Sequence, residues 1–391
     1  MVSKENHEKT AGIYVHIPFC LRKCPYCDFY SITDISLEQL FFDSVYREIV
    51  MRSNTSFLFD TIYIGGGTPS VVAPENIGRL IEKLHHYYKI SPEAQITIEV
   101  NPGLVDFKLL SKYLSYGINR LSIGIQSFGD ENLTFLGRIH SASEGIKSIT
   151  DAKEAGFNNI SLDLIYGIPG QTMEDWLLDL SQAVAFKPEH ISCYMLTYEK
   201  DTPMEKRMRE GEFQPLPEEL AGNYFSAAND FLNSNGYSQY EISNFARTGS
   251  DDLRSLKSRH NFKYWSFSPY IGFGPSAHSF SGDERSWNHG NVLKYAEDIK
   301  SDILPVADTE VLNREQKILE AVYLGLRKTE GIDLKEFKNK FGVSFREMFI
   351  NILPELIENK HLEVSKNRCA LTSKGMLFHD SIVSMLVDED I

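Results

Sequence analysis

The stretch Tyr14-Val15-His16-Ile17-Pro18-Phe19-Cys20-Leu21-Arg22-Lys23-Cys24-Pro25-Tyr26-Cys27 runs from a β-rich segment straight into three closely spaced cysteines. The β-rich run begins at Gly12, and runs of the same kind recur at residues 61–64, 96–100, 120–125, 160–165 and 190–195, with a weaker seventh at 238–242. The segments between them, such as 37–51 and 74–88, have the length and apolar spacing of amphipathic helices. Strands alternating with helices at this spacing predict parallel βαβ units. Six or so repeats predict an α/β fold with a partial (β/α)6-type barrel, placed here at residues 11–245. In such barrels the chemistry sits where strands end and βα loops begin, so the residues after each run are the candidates.

The pattern changes beyond the barrel. Residues 246–308 form an aromatic connecting region, with a polar stretch from Ser250 to Asn261 and an aromatic, glycine-rich one from Phe262 to Phe280. Residues 309–391 read as a small helical, winged-helix-like module. Ile318, Val322 and Leu326 share a helix face, Phe337 and Phe341 fall in a second helix, residues 362–371 read as a hairpin, and a last helix runs to Leu386.

Of the 391 residues, 42% are apolar and 24% charged, as in an ordinary globular protein, and the net charge is −14. Nucleic-acid affinity rests on Lys and Arg meeting phosphate, so so acidic a chain is not expected to bind nucleic acid, and the C-terminal module is not basic enough to alter that. No apolar run approaches the eighteen or so residues that span a bilayer, and Met1 to Thr10 lack the apolar core of a signal peptide. The expectation is a cytoplasmic chain without a transmembrane segment; peripheral membrane contact would leave no trace in this pattern. The five cysteines are odd in number and three are clustered, which speaks for metal or catalysis rather than a disulfide framework.

Cys20, Cys24 and Cys27 form C-x3-C-x2-C. A [4Fe–4S] cluster usually takes four thiolates; three would leave one iron open to another ligand. Zinc is the competing metal, but it favours paired C-x2-C units with the count made up to four, and the nearest candidate, His16, lies back on the strand. Gly65-Gly66-Gly67-Thr68-Pro69 closes the second β-run, where glycines let the backbone approach a ligand. Glu99, Gln126 and Asp163 lie on or just after strands, and Arg138 is expected in the helix after the fourth. Polar groups in core strands cost free energy unless paired, so each serves either a structural hydrogen bond or a ligand.

The cysteine spacing, with Tyr26 before the third cysteine, resembles the radical S-adenosylmethionine (SAM) superfamily. The resemblance implies that SAM chelates the open iron and is cleaved to a 5′-deoxyadenosyl radical by the reduced cluster. Residues 14–20, 65–69, 119–128 and 163–172 are similar to the oxygen-independent coproporphyrinogen III oxidases and their relatives. That likeness implies SAM contacts at Tyr14, Gly66, Gly67 and Thr68, and at Glu99, Gln126, Arg138 and Asp163; Thr68 stands where the superfamily often has Glu. The true oxidases carry a further cysteine two residues after the third and a long N-terminal extension. Here that position is Phe29, and about eleven residues precede the first β-run. Residues 240–246 and the H-N-x-x-Y-W element within Arg259-His260-Asn261-Phe262-Lys263-Tyr264-Trp265 are instead similar to the heme chaperone branch, HemW.

That branch implies a protein that binds heme and hands it to heme-accepting proteins, with a [4Fe–4S] cluster, SAM, an electron donor and a homodimer as further associations. Heme asks for an axial donor and an aromatic wall. His260 is the expected ligand, with His278 ranked second and His289 nearby; the alternative is that the motif shapes the barrel's mouth. Cys193 and Cys369 read as small buried hydrophobes. The rival activities are decarboxylation of coproporphyrinogen III and another radical SAM reaction on a tetrapyrrole.

Overall fold

The computed structural model describes residues 10–249 and 256–387. The expectations for the first nine residues, and for residues 250–255 of the polar stretch, lie outside the described residues.

Six parallel strands form the centre of one sheet: β1 (Thr10–Ile17), β2 (Leu58–Gly66), β3 (Ile90–Val100), β4 (Arg120–Gln126), β5 (Ile160–Tyr166) and β6 (His190–Met195). The helices Glu38–Met51, Pro74–Tyr87, Phe107–Ser115, Ala142–Glu154 and Met173–Ala185 connect successive strands. On each strand the outward residues are apolar. Ile62, Ile64, Ile98, Leu121, Ile123, Leu162 and Leu164 are fully buried beneath those helices. The inward residues alternate with them and are mostly polar, which gives the sheet an apolar outside and a polar lumen.

The weak seventh run is a strand, β7 (Tyr237–Glu241), but it does not continue the parallel series. It pairs antiparallel with β8 (Asn244–Arg247), which pairs antiparallel with β6. Glu241 and Asn244 are too close in sequence for a crossover, so the chain turns back as a hairpin. The barrel is therefore partial.

Residues 246–308 build onto the opposite edge. Strand β9 (Tyr270–Phe273) lies parallel to β1, and β10 (His278–Phe280), β11 (Glu284–Asn288) and β12 (Val306–Val311) follow antiparallel. The order of the twelve strands is β12-β11-β10-β9-β1-β2-β3-β4-β5-β6-β8-β7. A buried carboxylate ties this edge to the barrel. Glu48, on the first helix, accepts hydrogen bonds from Gly274 N (2.9 Å), Asn288 Nδ2 (2.8 Å) and Tyr295 OH (2.7 Å), and pairs with Arg52 (3.3 Å).

The C-terminal module has the expected elements. Helices Arg314–Arg327, Leu334–Phe341 and His379–Val387 pack with a three-stranded antiparallel sheet of β13 (Ile332–Asp333), β15 (Arg368–Leu371) and β14 (Leu362–Val364). Among the described residues no helix is long and apolar enough to cross a membrane.

Candidate functional site

A single cavity of about 1990 Å³ occupies the barrel lumen and opens between the cysteine loop and residues 376–381 of the C-terminal module. All twelve site residues expected from the sequence line it.

The cysteine loop leaves β1 through Phe19 and returns at Ile32, where Cys20 N donates to Ile32 O (2.9 Å) and Ile32 N to Pro18 O (2.7 Å). Those two bonds pin the base of the loop, and Cys27 N donates to Cys24 O (3.1 Å) within it. All three thiols are free. Burial pushes the Cys27 thiol up, and the neighbouring Cys24 and Cys20 add to this. Among the described residues no three His, Cys, Asp or Glu side chains converge as a single metal ion requires. His16 is not a spare ligand either. Its Nε2 donates to Tyr30 O (2.8 Å), its Nδ1 accepts from Tyr14 OH (3.0 Å), and burial lowers its pKa to about 4. Three thiols on one loop, with no fourth protein donor among the described residues, suit a polynuclear cluster with an open corner better than zinc.

The glycine run lies against this loop. Gly67 N donates to Ile17 O (2.8 Å) and Thr68 N to Phe19 O (2.7 Å). A Cβ on Gly67 would stand 2.6 Å from Phe19 O and 3.0 Å from Cys20 Sγ, so only glycine permits this approach. Gly66 has φ +114°, a conformation that side chains rarely adopt.

Polar side chains continue the wall. Glu99 accepts from Tyr63 OH (2.7 Å) and Gly66 N (3.3 Å). Enclosure in the barrel raises its pKa to about 7, with the Asp163 charge adding to the rise and the Tyr63 hydrogen bond opposing it. Asp163 accepts from Ser192 (2.7 Å), Ser122 (2.9 Å) and Ser161 (3.4 Å), yet burial still raises its pKa. Gln126 ends β4 at φ 66°, in the left-handed region. Arg138 is not in a helix: the helix Asp130–Phe135 stops short of it. There Arg138 donates to Asn101 Oδ1 (2.7 Å) and Gly124 O (2.9 Å) and lies 3.7 Å from Cys24 Sγ, while its Nε is buried without a partner. The close glycine cradle and this orphaned donor beside the thiols fit a zwitterionic ligand such as SAM.

The H-N-x-x-Y-W element is the helix Arg259–Trp265, lying against β1 and β2. His260 is 1% exposed. Its Nδ1 meets Thr61 Oγ1 (2.9 Å) and its Nε2 meets Tyr264 OH (2.9 Å). Its ring sits 5.3 Å from that of Tyr63, and burial lowers its pKa to about 3. Axial ligation by His260 therefore requires one of these two bonds to give way. His278 opens β10, between β9 and β11, and is stacked on Trp287 at 5.8 Å. His289 faces Asp298 at 3.4 Å.

A model of the radical SAM superfamily matches residues 14–182, and one of the HemN C-terminal domain matches residues 312–378. The heme chaperone HemW of Bacillus subtilis is 34% identical over 381 residues, covering 96% of this chain and 99% of its own. That of Lactococcus lactis is 32% identical, covering 98% and 99%. The chain belongs to the HemW family. Its fold is also that of coproporphyrinogen III oxidase (HemN) from Escherichia coli, described as a radical SAM enzyme. The TM-score is 0.84 over 97% of this chain and 90% of that one, at 23% identity.

Several lumen residues of this family member were not singled out from sequence: Tyr63, Asn101, Arg120, Ser122, His190 and Ser192. For Tyr63, Ser122 and Ser192 the signal was available: each occupies an inward position in the two-residue alternation of a strand, between apolar neighbours.

Proposed function

We propose that this protein is a radical SAM-type heme chaperone: it binds heme and delivers it to acceptor proteins. In this reading Cys20, Cys24 and Cys27 hold a [4Fe–4S] cluster. Tyr14, Gly66, Gly67, Thr68, Glu99, Gln126, Arg138 and Asp163 surround SAM. When bound, these groups supply one-electron reductive chemistry. The residues of the chain position them. The pinned loop presents the thiols, the glycines admit the ligand's backbone-like end, and Arg138 is poised for its carboxylate. Residues 11–245 serve as the cofactor domain, 246–308 extend its wall, and 309–391 border the entrance. The working compartment is the cytoplasm, and the partners are heme, its acceptors and an electron donor.

The observation that carries this reading is the shared wall. The thiols, the glycine cradle and His260 of the H-N-x-x-Y-W helix all face one cavity. Phe29, 67% exposed at the cavity's mouth, stands where the oxidases carry their additional cysteine and offers an apolar surface to a macrocycle instead. His260 is the proposed axial ligand, with the Tyr264 hydroxyl leaving Nε2 as iron arrives.

The test is anaerobic. The reconstituted protein, with reductant, SAM and coproporphyrinogen III, should yield no protoporphyrinogen IX above background, and heme titration should give a saturable Soret band. Protoporphyrinogen formation would make the protein an oxidase. His260→Ala should abolish or shift the band, whereas Tyr264→Phe, which frees Nε2, should keep or strengthen it. An unchanged spectrum in His260→Ala would remove His260 as ligand, and His278→Ala would be the next variant.

A further inference from the structure

The lumen reaches deeper than the residues expected at SAM. Along β4, Gln126 stands at the end nearest the cysteine loop and Arg120 at the opposite end. Six residue steps at about 3.3 Å separate them by roughly 20 Å. Arg120 is 1% exposed and its guanidinium borders the cavity. Among the described residues it makes no side-chain hydrogen bond and no ion pair, and its Nε is buried without a partner.

Its neighbours are already satisfied by others. Asp163 is taken by three serine hydroxyls, and Glu99 by Tyr63 and Gly66 N. His190 bonds Ser161 Oγ through Nδ1 (2.7 Å) and Tyr240 OH through Nε2 (2.8 Å). Directly across the ladder from Arg120 is Thr97, fully buried, whose Oγ1 also lacks a partner. The charges of Glu99 and Asp163 act on Arg120 without accepting from it, its buried Nε donor stays unmet, and a planar carboxylate matches its fork.

We infer that Arg120 anchors a carboxylate-binding subsite on the floor of the cavity. The carboxylate is a propionate of the heme cargo, an assignment that rests on the function proposed above; SAM's own carboxylate belongs at the Arg138 end of the lumen. Glu99 and Asp163 lie on the same lumen wall, and their charges repel any anion not held by the fork. The subsite is therefore selective for a carboxylate that meets the guanidinium end-on.

The experiment compares the wild type with Arg120→Gln and Arg120→Lys, using three probes on the reconstituted protein: heme, heme dimethyl ester and SAM. A propionate anchor predicts that Arg120→Gln weakens heme at least about tenfold, the loss expected for a hydrogen bond to a charged group. Ester binding, already weak in the wild type, should not fall further. A comparable loss for SAM alone would overturn the inference. Arg120→Lys keeps the charge and loses the fork, so it should show the same selectivity in smaller measure, and it decides the matter if Arg120→Gln does not fold. Unchanged binding of all three probes, or equal losses for heme and its ester, would overturn the inference. A wild type that takes up no heme would sink the chaperone reading and this inference with it, whereas heme bound equally by the wild type and Arg120→Gln would sink the inference alone.

Discussion

Glu99 offers a perturbation whose size follows from its surroundings. Its carboxyl is enclosed by Tyr63, Gly66 and the Asp163 charge, and its pKa rises from 4.5 to about 7 on folding. The folded state therefore holds this proton more tightly than the unfolded chain. Below about pH 4.5 both states are protonated and the group costs nothing. As pH climbs towards 7 the unfolded chain ionises first, and stability is lost until the folded carboxyl ionises too. At about 1.4 kcal/mol per tenfold change in proton affinity, the loss is about 3 kcal/mol. That figure is a ceiling, because Glu99 borders the cavity and water there offsets part of the desolvation. Glu99→Gln keeps an acceptor for Tyr63 and cannot ionise. Urea unfolding of the apo-protein from pH 5 to 8.5 should show the wild type falling relative to Glu99→Gln by about 2–3 kcal/mol, most of it below pH 7. Parallel curves for the two proteins would refute the reasoning.

Three more substitutions probe other parts of the account. Gly67→Ala places a methyl group 2.6 Å from Phe19 O, so the cysteine loop must shift; a stability loss of about 1–3 kcal/mol and reduced iron and sulfide after reconstitution are expected by thermal unfolding and metal analysis. Glu48→Ala removes the carboxylate paired with Arg52, leaves Tyr295 OH and Gly274 N without an acceptor around a buried hole, and should cost about 3–5 kcal/mol in urea unfolding. In the apo-protein, His260→Ala leaves the Thr61 and Tyr264 hydroxyls without their partner, a loss of about 1–3 kcal/mol that is independent of heme.

The barrel was legible because its strands are buried on both sides of a repeated rhythm. Ile62, Ile98, Leu121 and Leu162 mark the outer face, and the helices between them are amphipathic. What escaped the reading depends on long-range closure. Nothing local distinguishes an antiparallel 237–241 from a further parallel strand; the close return to Asn244 decides it. Arg138 follows closely on the helix Asp130–Phe135, but the chain breaks away at Gly137, whose φ is +68°. The glycine cradle and the thiols were readable from spacing, because a ligand approached by backbone demands those residue types. Arg120 was not, since its meaning lies in the absence of a partner, which only the folded lumen reveals. His260 was found by motif, but its two filled hydrogen bonds are a property of the helix docked on Gly12 and Thr61.

Delivery differs from release in its kinetics, and that difference tests the central claim. Heme-loaded protein is mixed with increasing amounts of an apo-cytochrome, and the transfer rate is followed by the shift of the Soret band. Handover through a complex predicts a rate that rises with acceptor concentration beyond the rate of spontaneous heme loss measured with a scavenger. A rate fixed at that spontaneous value, whatever the acceptor concentration, would contradict the chaperone account.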